Sequence, residues 1–363
     1  MIHFSKYHGC GNDFIIIGEA ELARAGAGGA SAGGGVAEVA GGSLDCGGAH
    51  GLSDFARRIC HRQLGVGADG LIVVRTNPLA MDIINSDGSV APMCGNGIRC
   101  FARHCLETGV VPVGTESFDV STLAGVMRVS VSFAGGFAAE VCMGKPDWSA
   151  RAAGIDEDGE YIGRTLNVAD AGTGAEPDVG ASEIGTGAGS GLAGKFVKLS
   201  SLFLGTYHTV VWLDENEWIC GAANAAESHA GSPLTDSCGG AGHGGAKEPG
   251  GGLYGHPNIA RLGSVIETHP VFTNRTNVNF ARVIDRNTVE MITWERGAGM
   301  TAACGTGASS VVALGLREGR LGSDTPEAKV LLPHGELHIR QGAGGEIFMC
   351  GPAEHVFDGE YYG

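Results

Sequence analysis

Two segments, far apart in the chain, carry the same pattern. Cys94-Gly95-Asn96-Gly97 runs into Ile98-Arg99-Cys100-Phe101-Ala102, and Cys304-Gly305-Thr306-Gly307 runs into Ala308-Ser309-Ser310-Val311-Val312. A Gly-containing turn precedes each: Ser86-Asp87-Gly88-Ser89 in the first case, Glu295-Arg296-Gly297-Ala298-Gly299 in the second. The residues that follow predict helices over Gly97–Thr108 and Gly307–Leu316. The pattern is an internal repeat, one supersecondary unit per half, and any fold for this chain must use that unit twice.

The strands repeat as well. Phe14–Ile17, Leu71–Val74 and Met81–Asn85 read as strands in the first half, with helical character over Asp54–Gln63. Phe118–Thr122, Val126–Phe133 and Phe137–Met143 read as a meander. In the second half, Phe196–Leu199, Thr209–Asp214, Asn277–Ile284, Val289–Trp294, Val330–Leu332, Glu336–Arg340 and Ile347–Met349 are strand-like. The class is α/β, with several strands and one prominent helix in each half.

A length of 363 residues suits two domains. Glycine is in excess, at 64 residues, and 30 of these fall in the stretches 25–51, 171–194 and 221–255. No Gly-x-y period is present, so these stretches read as insertions into a globular protein. With 43% hydrophobic residues the chain can bury a substantial core. A net charge of −16 argues against nucleic acid and against an anionic membrane surface. The first residues, Met1-Ile2-His3-Phe4-Ser5-Lys6, do not resemble a signal peptide, and no long apolar run predicts a membrane span. The expected location is cytosolic. The 11 cysteines are odd in number and contain no Cys-x-x-Cys pair, which disfavours a zinc ribbon or a thioredoxin-like centre and predicts thiols, most of them buried. No metal site is expected.

A cysteine at a helix N-terminus meets the positive end of the helix dipole and the unpaired backbone N–H groups, which raise its thiolate fraction. The glycines that follow let a ligand approach the backbone, and the same N–H groups can bind a carboxylate. Inverting a carbon needs a base to take a proton from one face and an acid to return one on the other. Two pseudo-symmetric halves that each present a thiol supply such a pair, and two helix N-termini would stabilise the charge that develops.

The chain resembles the diaminopimelate epimerase family, which works without a cofactor. The resemblance rests on Phe4-Ser5-Lys6-Tyr7-His8-Gly9-Cys10-Gly11-Asn12-Asp13-Phe14, Gly65-Val66-Gly67-Ala68-Asp69-Gly70, Asn85-Ser86-Asp87-Gly88-Ser89 and Met93-Cys94-Gly95-Asn96-Gly97-Ile98-Arg99-Cys100. It continues through Arg275-Thr276-Asn277-Val278-Asn279-Phe280, Glu295-Arg296-Gly297-Ala298-Gly299, Ala303-Cys304-Gly305-Thr306-Gly307 and Gly351-Pro352-Ala353-Glu354-His355-Val356-Phe357. It covers nearly the whole chain outside the three insertions.

The resemblance implies two similar domains, each a β-barrel-like mixed sheet around a central helix. The first would span 1–143 plus 350–363 and carry Cys94; the second would span 144–349 and carry Cys304. Cys94 and Cys304 would be the acid/base pair that interconverts LL- and meso-diaminopimelate in lysine and peptidoglycan precursor synthesis. Asn12, Asn85 and Asn277 match substrate-binding positions. Gly95-Asn96 and Gly305-Thr306 match the amides that bind the carboxylate of the reacting centre, and Glu295-Arg296 matches a pair that touches the substrate's charged groups. His208 matches a residue that the family places near the catalytic pair. Where the family carries Gly-Asn-Pro-His, this chain has Gly205-Thr206-Tyr207-His208, so a substrate-binding Asn becomes Thr206. No pyridoxal phosphate is implied, and the chain has only six lysines, none in a phosphate-binding context. The partner is a small molecule; a homodimer is compatible with these features.

Two other readings stay open. One is a cofactor-independent racemase of another amino acid, such as histidine or a smaller diamino acid, which Thr206 motivates. The other is a non-catalytic amino-acid-binding or redox-sensing protein that uses the paired cysteines. Oxidation joining Cys94 to Cys304 is a further expectation, motivated by two activated thiols.

Overall fold

The computed structural model describes residues 1–27, 51–169, 194–220, 256–322 and 327–362, with Leu192 and Leu253. The expected insertions fall almost wholly outside the described residues. The chain divides into a first unit of residues 1–142, 336–338 and 348–363, and a second of 143–335 and 339–347. It is mostly sheet with few helices.

The first unit opens with a hairpin of β1 (Ile2–Gly9) and β2 (Asn12–Gly18). Its turn is Cys10-Gly11, with φ of 54° and 88°. Positive φ at both positions is what a tight two-residue hairpin turn demands. Helices α1 (Glu19–Ala27) and α2 (Leu52–Ile59) lead to β3 (Gly70–Thr76), which lies parallel to β2. Antiparallel β4 (Leu79–Asn85) and the short β5 (Val90–Ala91) follow, then α3 (Gly95–Glu107). A meander of β6 (Ser117–Thr122), β7 (Gly125–Ser132) and β8 (Ala138–Gly144) completes the run.

The second unit uses the same order. It starts with β9 (Tyr161–Asn167), β10 (Phe196–Leu204) and β11 (Thr206–Trp212). Helix α4 (Pro257–Glu267) then leads to β12 (Asn277–Asp285), parallel to β11, followed by antiparallel β13 (Thr288–Glu295) and β14 (Gly299–Thr301). Helix α5 (Gly305–Arg317) follows, then β15 (Glu327–Leu332) and β16 (Gly335–Gln341), and the chain returns to the first unit through β17 (Ile347–Pro352) and β18 (Glu354–Tyr361). The flanking strand of each first hairpin comes from elsewhere in the chain: β18 pairs with β1, and β9 with β10.

The apolar run Phe14–Ile17 is continuous because β2 is covered on both faces. Ile15 and Ile17 join Leu71, Val73, Phe55 and Ile59 in one buried cluster. Ile72 and Ile83, on the other face, approach Gly97 at the start of α3. Each such side chain stabilises the unit by roughly 1.5–3 kcal/mol.

Two expectations need correction. The helix expected over Asp54–Gln63 ends at Ile59, because the His61 ring nitrogen accepts from the Gln63 and Leu64 amides and turns the chain. The strand expected to reach Asp214 stops at Trp212. A short 3-10 turn over Leu213–Glu215 follows it, held by the Asn216 amide on the Trp212 carbonyl at 2.8 Å.

Candidate active site

Cys94 and Cys304 are each the N-cap of a 13-residue helix. Both have extended backbone, with φ of −137° and −126°. A cap side chain normally offers oxygen to the amide of the third helical residue. Here sulfur takes that place: the Gly97 amide donates to Cys94 Sγ at 3.5 Å, and the Gly307 amide to Cys304 Sγ at 3.4 Å. Both thiols therefore sit in the positive field of a helix start. Cys304 is 6% exposed and Cys94 half-buried.

Other cysteines contrast with these two. Cys60 and Cys100 are buried, and burial pushes each thiol up to about 12. They serve packing. Cys46 and Cys238 lie outside the described residues.

In the first unit, Asn12 stands beside the cap. Its Nδ2 donates to Asp69 Oδ2 at 2.7 Å, which fixes the amide orientation and turns Oδ1 toward Asn96 Nδ2 at 3.1 Å and Cys94 Sγ at 4.0 Å. Asp69 is itself paired with Arg62, and Arg62 and Lys6 both bind Asp13. Burial raises the Asp13 carboxyl, but Arg62 and Lys6 together outweigh it and hold Asp13 below the usual range. Asn85 closes the following turn through Ser89 Oγ at 2.9 Å. Arg57 of α2 donates to the Asp87 carbonyl of that turn at 2.7 Å.

The second unit holds the equivalent turn by other means. Asn277 donates to the Tyr207 carbonyl at 3.1 Å and accepts from the Arg296 amide at 2.8 Å. Glu267, the last residue of α4, accepts from the Gly297 amide at 2.9 Å and from Trp294 Nε1 at 2.7 Å. The Glu295 carboxylate accepts from Thr301 at 2.6 Å. Arg296 is exposed, and its guanidinium lies 5.5 Å from the centre of the Tyr207 ring. Thr306 Oγ1 is 3.5 Å from Cys304 Sγ. Gly205, with φ of 72°, brings the β10–β11 turn close to the Thr306 methyl. Thr206 is half-buried in that turn. His208 is fully buried; burial first, and then Arg296, lower it to about 3, so the ring is neutral.

The structure thus gathers Asn12, Gly95 and Asn96 around Cys94 with Asn85 in the turn that precedes it, and Thr206, His208, Asn277, Glu295, Arg296, Gly305 and Thr306 around Cys304 or its preceding turn. Sequence reasoning missed Asp69, Glu267 and Asn279. Asp69 lies in the Gly65–Gly70 motif, and Asn279 follows Asn277 at strand alternation, so both had a signal. Glu267 had none. Among the described residues no group of three or more His, Cys, Asp or Glu side chains is placed to hold a metal ion. None of the described helices is long and apolar enough to cross a membrane.

A fold of two such repeats is shared with solved racemases and epimerases. The chain is similar to a probable proline racemase from Agrobacterium radiobacter K84, with a TM-score of 0.57 at 14% identity, covering 100% of this chain and 93% of that one. It is also similar to a hydroxyproline epimerase from Agrobacterium vitis, with a TM-score of 0.52 at 13% identity, covering 99% and 91%. The chain belongs to the diaminopimelate epimerase family, whose model matches residues 44–149 and 255–356. It is 31% identical over 367 residues to the diaminopimelate epimerase of Carboxydothermus hydrogenoformans, covering 99% of this chain and 100% of that one. Against the diaminopimelate epimerase of Clostridium perfringens the identity is 32% over 364 residues, covering 99% and 98%. The protein is an isomerase of the epimerase type, acting on a small molecule.

Proposed function

We propose that this chain interconverts LL- and meso-2,6-diaminopimelate by two-base chemistry at Cys94 and Cys304, within lysine and peptidoglycan precursor synthesis. The observation that carries the reading is the duplicated cap: one cysteine per unit, its sulfur accepting a helix-start N–H. One cysteine, as thiolate, takes the α-proton, and the electron pair passes into the adjacent carboxylate. The other, as thiol, returns its own proton to the opposite face of that carbon. Each turnover leaves the two sulfurs with exchanged protonation states, and no redox change occurs. Such inversion requires both thiols at one α-carbon.

Gly95-Asn96 and Gly305-Thr306 would bind the carboxylate at the reacting centre and stabilise the charge that develops on it. Asn12, Asn85, Asn277, Glu295 and Arg296 would hold the remaining ammonium and carboxylate groups. The substrate carries two of each, which suits a set of amides, one carboxylate and one guanidinium. No cofactor takes part in these steps.

The test is exchange in heavy water. LL- and meso-diaminopimelate should gain deuterium at an α-carbon with the native protein, and Cys94→Ser and Cys304→Ser should each lower interconversion by at least about a thousandfold. Thr206 motivates a second reading, a different amino acid as substrate. Exchange into another amino acid with none into diaminopimelate would establish that reading and end the first.

A further inference from the structure

The two repeats can be superposed by register. Phe14 pairs with Gly70 where His208 pairs with Asn277, and Ile72 pairs with Ile83 where Asn279 pairs with Thr293. The apolar trio Phe14, Ile72 and Ile83 of the first unit is therefore His208, Asn279 and Thr293 in the second. All three are buried.

Resting on the epimerase reading above, we propose that Asn279 is a positioning residue: it holds the His208 imidazole as the tautomer protonated on Nε2, so that His208 meets the reacting system as a neutral hydrogen-bond donor. The argument is a count of donors. The Thr209 carbonyl can only accept, so the Asn279 atom 3.1 Å from it is the amide nitrogen. The other amide atom is oxygen, and the Thr293 hydroxyl donates to it at 3.0 Å. The nitrogen has one hydrogen left, directed at His208 Nδ1 at 3.2 Å. Nδ1 must then accept, which puts the ring proton on Nε2. Nε2 is buried and has no partner among the described residues. A buried N–H without a partner is costly and rare in native proteins. It suits an anionic acceptor that arrives with the substrate.

The same side chain braces the catalytic turn. A Cβ on Gly307 would stand 2.3 Å from Asn279 Oδ1 and 3.2 Å from Cys304 Sγ. Asn279 thus lies between the His208 ring and the helix start that caps with Cys304. The charge that bears on the ring is Arg296, which with burial opposes a second ring proton.

The experiment is the nitrogen NMR spectrum of the full chain with 15N-labelled histidine, from pH 5 to 8, with His208 identified by the signals lost in His208→Gln. A ring protonated only on Nε2 across this range is expected. A proton on Nδ1, or a titration near neutral pH, overturns the proposal, and this result needs no variant of Asn279. Asn279→Asp keeps the size but accepts where Asn279 donated. It should move the ring proton to Nδ1 and lower kcat about tenfold, with KM changed far less. An unmoved ring signal, or an unmoved kcat, also overturns it. Thr293→Val leaves both Asn279 donors in place and should leave the tautomer as it was; a changed tautomer counts against the assignment. The ring is read without substrate, so failure here is distinct from failure of the diaminopimelate exchange.

Discussion

Set side by side, the two units share a scaffold and differ in what backs it. Both seat a cysteine at the start of a 13-residue helix above a parallel strand pair. Behind Cys94 the sheet is apolar, and polar support comes from the loop side, through Asn12 and Asp69. Behind Cys304 the sheet itself is polar, with Asn279, Thr293 and His208 linked by hydrogen bonds. One further position shows the same divergence. Arg99 Nη1 donates to the Gly95 carbonyl at 3.1 Å, and Ser309 Oγ donates to the equivalent Gly305 carbonyl at 2.9 Å. Among the described residues the Ser309 hydroxyl makes no other hydrogen bond. Arg99, fully buried, also reaches the Pro352 carbonyl at 3.0 Å and so ties the C-terminal return to α3. The shared scaffold sets where the thiols sit, and the residues that differ between the units set what each one touches.

The largest effect expected from breaking this comparison is at Arg99. Arg99→Met should cost about 3 kcal/mol in denaturant unfolding, because the buried Gly95 carbonyl and the half-buried Pro352 carbonyl both lose this donor, whereas Ser309→Ala should cost about 1 kcal/mol. Equal losses would mean that Arg99 has no wider structural duty. Next comes the pair of glycines. Gly307→Ala drives a methyl into Asn279 and should lower kcat about a hundredfold, the effect of roughly 2–3 kcal/mol of overpacking. Gly97→Ala meets Ile72 and Ile83 at 3.3 and 3.4 Å and should be felt less; steady-state rates of the two variants decide it.

Acid should weaken both units. Burial lowers His104 of the first unit to about 4 and His208 of the second to about 3. Between these values and the unfolded value near 6.5 the unfolded chain binds more protons, so stability falls as the pH drops below about 6.5. Each histidine contributes up to about 1.4 kcal/mol per pH unit. His104→Phe should flatten the acid limb of a denaturation series, and an unchanged slope would refute its share.

Asp69→Ala releases the Asn12 amide and should lower kcat/KM about tenfold, at about 1.4 kcal/mol. The smallest effect is at Tyr207. Tyr207→Ala removes the ring under the exposed Arg296, worth about 0.5–1 kcal/mol, and should raise KM two- to fivefold with kcat nearly unchanged.

Much of this was legible in the sequence, for identifiable reasons. Cysteine before a Gly-x-Gly helix start is a local signal, and both copies form the caps expected. The run Phe14–Ile17 reads as a buried strand because its two covered faces leave no polar alternation. Glu267 was hidden, because nothing local tells a carboxylate at the end of α4 from a solvated one. Arg99 looked like an ordinary helical residue, since its partner Pro352 lies far along the chain. Strand β18 shows in the sequence only as part of a closing motif, because its residues are largely exposed and carry no apolar alternation.

The pairing of β18 with β1 has a consequence for how the chain is made. Ile2 is in register with Tyr361, so the outer edge of β1 stays uncovered until β18, which follows the whole second unit in the chain, has been made. The second unit has no such delay, since β9 precedes the β10 it pairs with. During synthesis the second unit can close while the first still shows a bare strand edge, the kind of surface that recruits other chains.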